Sequence, residues 1–307
     1  MKIHFLIILA IALTASGCVH KQEMLNLSIV QEPGIAENDT SVKVAIASVI
    51  SPKESIVYYE GMIQYISIKL GGPVKIVHRR TYQEVNDLIK NGEIDFAFIC
   101  SGSYVDGNKE FGIKLLVAPQ AYGNTTYNSY IIVHENSSYL NISELRGKRF
   151  AFSDPLSNSG KLYPEYRLSL INETPESFFG ADENGRTRFF YTYSHDNSII
   201  AVAERLVEGA AVDSLVYEYM KKENPGIISR TRIIEVSPQF AIPPVVVPGD
   251  IDPFLEQKLK DIFLKMDKDE EGKKILSSVM IDRFVTINDS AYNSIREMKN
   301  KITQSVK

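Results

Sequence analysis

The sequence predicts an α/β fold built in two lobes, and three observations predict it. Strand-like and helix-like segments alternate along most of the 307 residues, the pattern of βαβ units on a parallel sheet. The alternation falls into two sets, one over about 42–118 and one over about 145–236. Two stretches, near 119–128 and 237–244, are rich in Pro, Gly, Asn and Tyr and read as two hinge crossings between the sets. With 44% hydrophobic and 23% charged residues, the chain has the apolar content for a sizeable core.

The N-terminus precedes the fold. Lys2 leads an apolar run, Ile3 to Leu13, interrupted only by His4. That run has the length of a signal-peptide core and is short for a bilayer-spanning helix. Leu13-Thr14-Ala15-Ser16-Gly17-Cys18 follows and resembles a bacterial lipobox. The resemblance implies a lipoprotein signal peptide over 1–17 and lipidation of Cys18. A plain signal peptide cut nearby is the alternative, and either reading exports the chain. Residues 18–41 are polar, contain Pro33 and Gly34, and read as a flexible tether.

The first set opens with a strand, Val42 to Ala47. A helix from about Ser55 to Leu70 is stopped by Gly71-Gly72-Pro73, and a second strand covers Val74 to Val77. Thr81 and Glu84 form a capping box for a helix over Tyr82 to Lys90. Asn91-Gly92 turns into a third strand, Ile94 to Ile99, and a fourth runs from Ile113 to Ala118. Beyond the first crossing come strands Ser129 to Val133 and Phe150 to Phe152, then a helix from about Leu162 to Ile171 with Pro164 in its first turn. Phe189 to Tyr193 is a strand, Asp196 to Glu208 a helix, and Ala210 to Val212 a strand. Strands Ile233 to Val236 and Val245 to Val247 precede a long amphipathic helix from Pro253 to about Lys268. The mostly polar tail from about Asn288 reads as a surface helix.

Composition and motifs exclude several functions. A net charge of −4 with no basic stripe argues against nucleic acid. No CxxC or HExxH spacing occurs, so neither a metal nor another cofactor is expected. Cys100 ends an apolar strand and reads as a small buried residue.

The stretch with chemistry is Ser153-Asp154-Pro155-Leu156-Ser157-Asn158-Ser159-Gly160, between a strand and a helix. A helix start presents free backbone N–H groups and a partial positive charge. Ser157, Ser159 and Asn158 add side-chain donors, and Gly160 allows close approach. That combination suits a phosphoryl oxyanion, while simple capping by Ser159 explains the same residues more plainly. A Walker loop fails because Pro155 stands where its first glycine would be and Leu162 follows Gly160-Lys161; SxxK and GxSxG are absent.

These residues, together with Thr81-Tyr82, Asn91 to Asp95, Ser194-His195, Gly209 to Ser214 and Ile242-Pro243-Pro244, resemble the solute-binding proteins of phosphonate, phosphite and phosphate ABC importers. The resemblance implies a type II periplasmic-binding-protein fold of the Venus-flytrap kind. It places lobe 1 at 42–120 and 243–307 and lobe 2 at 121–242. It implies Ser157, Asn158, Ser159 and Gly160 as the phosphoryl cradle, with Asn158 where the family usually has Thr. It adds Tyr82 and Tyr127 from the opposite lobe and the hinge, and His195, Asp213 and Ser214 from lobe 2. Tyr82 as packing, and His195 and Asp213 as helix caps, are the plainer alternatives. Asp213, if ligating, would accept a hydrogen bond from a protonated phosphoryl oxygen and reject sulfate. Leu215 and Pro243 stand where aminoalkylphosphonate binders carry acids, which favours phosphate, phosphite or a simple alkylphosphonate.

The expected protein is thus a monomeric, membrane-anchored capture protein outside the cytoplasm, serving an ABC permease and not catalysing a reaction. A sensory lipoprotein reporting to a receptor kinase is a second reading. An exported serine hydrolase, with His195 as the base for Ser157 or Ser159, is a third.

Overall fold

The computed structural model describes residues 41–50 and 52–305, except for the side chains of 52–58 and 305. The expected signal peptide, Cys18 and nearly all of the tether lie outside the described residues.

The chain starts with β1 (Val42–Ile46), α1 (Pro52–Leu70), β2 (Val74–His78), α2 (Tyr82–Lys90) and β3 (Phe96–Phe98). The capping box at α2 forms as its sequence requires, with the Thr81 side chain accepting from the Glu84 N–H and Glu84 returning to the Thr81 N–H. Next come α3 (Ser101–Phe111) and β4 (Lys114–Gln120), then a short β5 (Thr126–Tyr127). The second set holds β6 (Ser129–His134), β7 (Phe150–Phe152), α4 (Tyr163–Ser169), α5 (Pro175–Phe179), β8 (Phe189–Tyr191), α6 (His195–Ala203) and β9 (Gly209–Asp213). It continues with α7 (Ser214–Glu223), α8 (Pro225–Ile228) and β10 (Thr231–Val236). The chain returns through β11 (Phe240–Ala241) to β12 (Val245–Val247), α9 (Pro253–Lys265), α10 (Glu270–Ser278), β13 (Arg283–Val285) and α11 (Asn293–Ser305).

Two sheets result. One has the strand order β13-β4-β12-β3-β1-β2 and the other β10-β6-β9-β7-β8. Both are parallel at the centre of their βαβ units, where β1 pairs with β2 and β3, and β7 with β8 and β9. Antiparallel pairing appears where the chain crosses between sheets and where β13 joins β4. The returning β12 inserts between β3 and β4, antiparallel to both, and β6 runs antiparallel to β9 and β10. The purely parallel pattern expected from alternation therefore holds only within each βαβ run. The crossings pair with each other: β5 and β11 form a two-stranded ribbon with Phe240 opposite Tyr127.

Several elements escape the sequence reading. The helix α3, SGSYVDGNKEF, has two glycines and no sustained apolar stripe, so periodicity does not reveal it. The helices α7 and α10 and the three-residue β13 also escape it. The tail helix α11 is not a purely surface element: Ile295 and Met298 are buried, and it packs on both α3 and α4.

The start of α3 approaches the 153–160 stretch closely. A Cβ at Gly102 would collide with the Leu156 carbonyl oxygen and stand 3.1 Å from the Asn158 nitrogen. Gly102→Ala should lower the unfolding free energy by about 1–3 kcal/mol, as overpacking does. Gly226→Ala, with nothing near its added methyl, should change it far less. Equal denaturant midpoints for the two variants would contradict the close approach.

Candidate functional site

The site is built on the turn between β7 and α4. The Asp154 side chain sets the entry: Oδ1 accepts from the Leu156 N–H at 2.8 Å and Oδ2 from the Tyr82 N–H at 3.1 Å. The first bond is an Asx turn. The second ties the start of α2, which follows the first sheet's edge strand, to the second sheet's loop. Ser157 is the cap, with Oγ accepting from the Gly160 N–H at 3.0 Å. A single wide π turn, Asn158–Leu162, follows and runs directly into α4. The loop expected to extend to Gly160 is therefore shorter, and the capping role expected of Ser159 belongs to Ser157. That releases the Ser159 hydroxyl, and single π turns are frequent at functional sites.

Gly160 is needed for packing. A Cβ there would collide with Ser153 Oγ and lie 2.9 Å from His195 Cε1. Only glycine lets β7, the π turn and the start of α6 meet at this distance.

The surrounding polar side chains are deeply buried: Tyr82, Tyr127, Ser153, Ser157, Asn158, Ser159, Ser194, His195 and Asp213 are each at most 2% exposed. Among the described residues, six buried side-chain atoms lack a hydrogen-bond partner, and five belong here. They are the hydroxyls of Tyr82, Ser153, Ser159 and Ser194 and the Asn158 amide oxygen. Native interiors leave few such groups unpaired, so their concentration around one helix start marks a place shaped for a polar guest. No lysine or arginine occurs among the buried polar residues described. The available attraction comes from neutral donors and the helix start.

Tyr127 and Asn158 act as a pair. The Asn158 amide donates to the Tyr127 hydroxyl oxygen at 3.0 Å. This leaves the Tyr127 proton for another acceptor and gives a role to the residue that departs from the family's threonine. The backbone N–H of Asn158 donates to Cys100 Sγ at 3.4 Å. Burial pushes the Cys100 thiol up to about 11, so it remains a thiol and acts as a weak acceptor. Burial also raises the Tyr82 and Tyr127 hydroxyls well above their usual value, which keeps both as donors.

His195 has a defined tautomer. Its Nδ1 accepts the Asp213 backbone N–H at 3.1 Å, so in the neutral ring Nε2 carries the hydrogen. Burial lowers its pKa to about 3, so the ring is neutral near pH 7. The Nε2–H lies 3.4 Å from Ser157 Oγ. It faces Ser157 as a donor, with no lone pair available there to take the serine proton. The His195 backbone N–H in turn donates to the Val49 carbonyl at 3.0 Å, a second tie between the sheets' loops.

Asp213 ends β9 and caps α7, with Oδ1 accepting from the Leu215 N–H at 2.7 Å. Burial raises its pKa to about 7, against the opposing pull of the Leu215 and Val216 N–H groups. Capping and ligation are thus compatible at this residue. Ser214 stands apart: its Oγ accepts the Asn128 N–H at 3.0 Å and its own N–H donates to the Asn128 carbonyl. The structure brings together Tyr82, Tyr127, Ser157, Asn158, Ser159, Gly160, His195 and Asp213, while the Ser214 oxygen accepts from the Asn128 backbone. Sequence reasoning missed Ser153, Asp154 and Ser194 as site residues. Asp154 and Ser194 lay within motifs already singled out, but their roles depend on how the sheets' loops meet.

Two α/β lobes whose loops meet over a buried, donor-lined cradle define a periplasmic solute-binding protein. Residues 44–292 match the family described as ABC transporter, phosphonate, periplasmic substrate-binding protein, and the chain belongs to that family. It is 26% identical over 189 residues to a probable ABC transporter phosphite binding protein, PhnD1, of Prochlorococcus marinus, a match covering 58% of this chain and 62% of that one. The chain spans about half to three fifths of the length of the curated relatives it matches. A binding protein component of an ABC phosphonate transporter from Pseudomonas aeruginosa superposes with a TM-score of 0.80 at 21% identity, covering 86% of this chain and 87% of that one. PhnD1 in complex with methylphosphonate superposes with a TM-score of 0.75 at 22% identity, covering 86% and 98%. Among the described residues no helix is long and apolar enough to cross a membrane.

Asp213 makes stability depend on pH. Its folded pKa lies above the unfolded value near 3.8, so its protonation stabilises the fold below that value and the contribution is lost as pH rises through about 7. Asp213→Asn removes the dependence. The variant should gain on the wild type, by no more than about 4 kcal/mol, between pH 4 and pH 8 in denaturant titrations without ligand. A constant difference across that range would contradict a buried, proton-holding Asp213.

Proposed function

We propose that the protein is an extracytoplasmic solute-binding protein that captures a phosphorus oxyanion, such as phosphate, phosphite or a simple alkylphosphonate, for an ABC importer. The observation that carries this reading is the set of unpaired buried hydroxyls of Tyr82, Ser153, Ser159 and Ser194 around the start of a helix. Phosphoryl oxygens are strong acceptors, and three of them converge on one centre in a way that meets several hydroxyls at once. The Tyr127 hydroxyl and the backbone of the π turn add further donors. Lobes closing about the β5–β11 ribbon would bring Tyr82 from lobe 1 (42–120 and 243–307) over the cradle of lobe 2 (121–242), and the closed form would dock on the permease. Lipid on Cys18 would hold the protein at the membrane, with residues 18–41 as tether.

The hydrolase reading loses support from the tautomer of His195: a base for Ser157 needs a free lone pair facing the hydroxyl, and Nε2 carries a proton. No covalent chemistry is needed to account for the other groups.

Asp213 is the proton reader. As a carboxylate it accepts from a phosphoryl group that retains one proton and repels sulfate, which has none near neutral pH. With its pKa near 7, acidification converts it to a donor that a sulfate oxygen can accept. Sulfate should therefore bind more tightly as pH falls below about 7, and Asp213→Asn should bind sulfate at every pH while losing about tenfold or more in phosphite affinity. Calorimetric titration with phosphate, phosphite, methylphosphonate and sulfate measures both effects. Failure of every phosphorus oxyanion to bind would refute the proposed function. Unchanged binding of both phosphite and sulfate by the variant would refute the role of Asp213.

A further inference from the structure

Asparagine is placed unevenly in this chain. Seven of its 17 asparagines open the pattern Asn-X-Ser/Thr. Serine and threonine together make 39 of the 307 residues, so chance placement would give about two. Asn26 and Asn38 lie outside the described residues. The other five, Asn124, Asn136, Asn141, Asn172 and Asn288, are all exposed and stand between elements, whereas the buried Asn86 and Asn158 open no such pattern. Three of the five share one end of the second sheet. Asn136 follows β6, whose last residues pair with the start of β9, away from Asp213. Asn141 precedes β7, whose Phe150 pairs with Gly209 at that same end. Asn172 follows α4, which leads out of the π turn and carries the chain away from the cradle. The Arg146–Glu173 ion pair at 2.7 Å and the Gly147 N–H donating to the Phe178 carbonyl at 3.0 Å fasten the turns after Asn141 and Asn172 together. Leu140, Leu170 and Ile171 flank these two asparagines in the chain and are 67%, 53% and 46% exposed.

We infer that this end of the protein is N-glycosylated at Asn136, Asn141 and Asn172, and that the sugars cover Leu140, Leu170 and Ile171. The inference rests on export of the chain and is independent of what the cradle binds. The co-reactant is an oligosaccharide on a polyprenyl phosphate or diphosphate, presented outside the cytoplasm by a membrane-bound transferase. The asparagine Nδ2 attacks the anomeric carbon. A C–N bond forms, the C–O bond to phosphate breaks, and the lipid phosphate leaves with that electron pair. The nitrogen gives up one proton to the transferase or to solvent, and nothing is oxidised or reduced. The hydroxyls two residues on, which such a transferase requires, belong to Ser138, Ser143 and Thr174. Exposed turns can bend into an enzyme's site without breaking a helix or strand. Sugars grown from the end opposite the cradle leave the approach of the two sheets' loops unobstructed. Three apolar side chains exposed on two turns that are tied together favour self-association in a bare chain, and a hydrated sugar beside them screens them.

Mass spectrometry of the full chain, isolated by fractionation from the cells that produce it naturally, tests this. Proteolytic peptides holding Asn136, Asn141 and Asn172 should carry sugar masses, and fragmentation should place each sugar on its asparagine. Ser143→Ala should strip the sugar from Asn141 alone, and Ser143→Thr should retain it. Ser143 is exposed, and the Asn141 cap uses its backbone N–H, which both variants keep. The same chain made in cells without such a transferase should bind about twofold more of an apolar fluorescent dye than the natural one. Leu140→Ser combined with Leu170→Ser should remove that excess. An exported chain with sugar on fewer than two of the three asparagines overturns the glycosylation and leaves the solute-binding reading standing. A chain found only in the cytoplasm overturns export, and the inference falls with it. Equal dye binding by the sugar-bearing and sugar-free chains overturns the screening of the apolar side chains.

Discussion

A buried hydroxyl with no partner costs about 1–3 kcal/mol, and this protein gathers four of them, with an amide oxygen, about one helix start. Little else in the molecule makes physical sense without that arrangement. Gly160 is there because any side chain would drive Ser153 and His195 away from the turn. Gly102 is there because α3 approaches the same turn from the other sheet. Asp154 uses one oxygen to shape its own loop and the other to hold the start of α2. These residues fix the positions of the groups proposed to bind. The fold tolerates the unpaired groups because its sheets and helices supply the stability, as functional sites commonly require.

With no buried lysine or arginine among the residues described, the proposed selectivity would rest on protons. His195 is neutral and donates through Nε2, because its other nitrogen is held by the Asp213 backbone. Asp213 titrates at about 7 because it is buried, even though two backbone N–H groups favour its charge. The Asp213 backbone orients the histidine, and its carboxyl group is proposed to choose the guest.

The βαβ runs were legible because strand alternation and capping signals are local, as the Thr81 box demonstrates. The helix α3 was not, because SGSYVDGNKEF carries no stripe and owes its place to Gly102 and to Ser101, whose hydroxyl donates to the Ala241 carbonyl. Antiparallel insertion of β12 between β3 and β4 joins segments far apart in sequence, and no local pattern encodes it. At the site, the serine-rich stretch pointed to an anion cradle, as an expectation, through its position before a helix. The π turn, the latch at Asp154 and the hold of Asn158 on Tyr127 were invisible because each depends on a partner from a distant segment. Ser214 lies in the expected motif, and the Asn128 backbone N–H engages its oxygen as an acceptor.

The most direct test of the account is a high-resolution crystal structure of the protein grown with phosphite. The account places phosphorus beside the π turn, with its oxygens within hydrogen-bond distance of the Tyr82, Ser159 and Ser194 hydroxyls and one of them against Asp213. Phosphite held elsewhere, for example beside the half-buried Arg79 and the exposed Arg80, with those buried hydroxyls still unpaired, would contradict it.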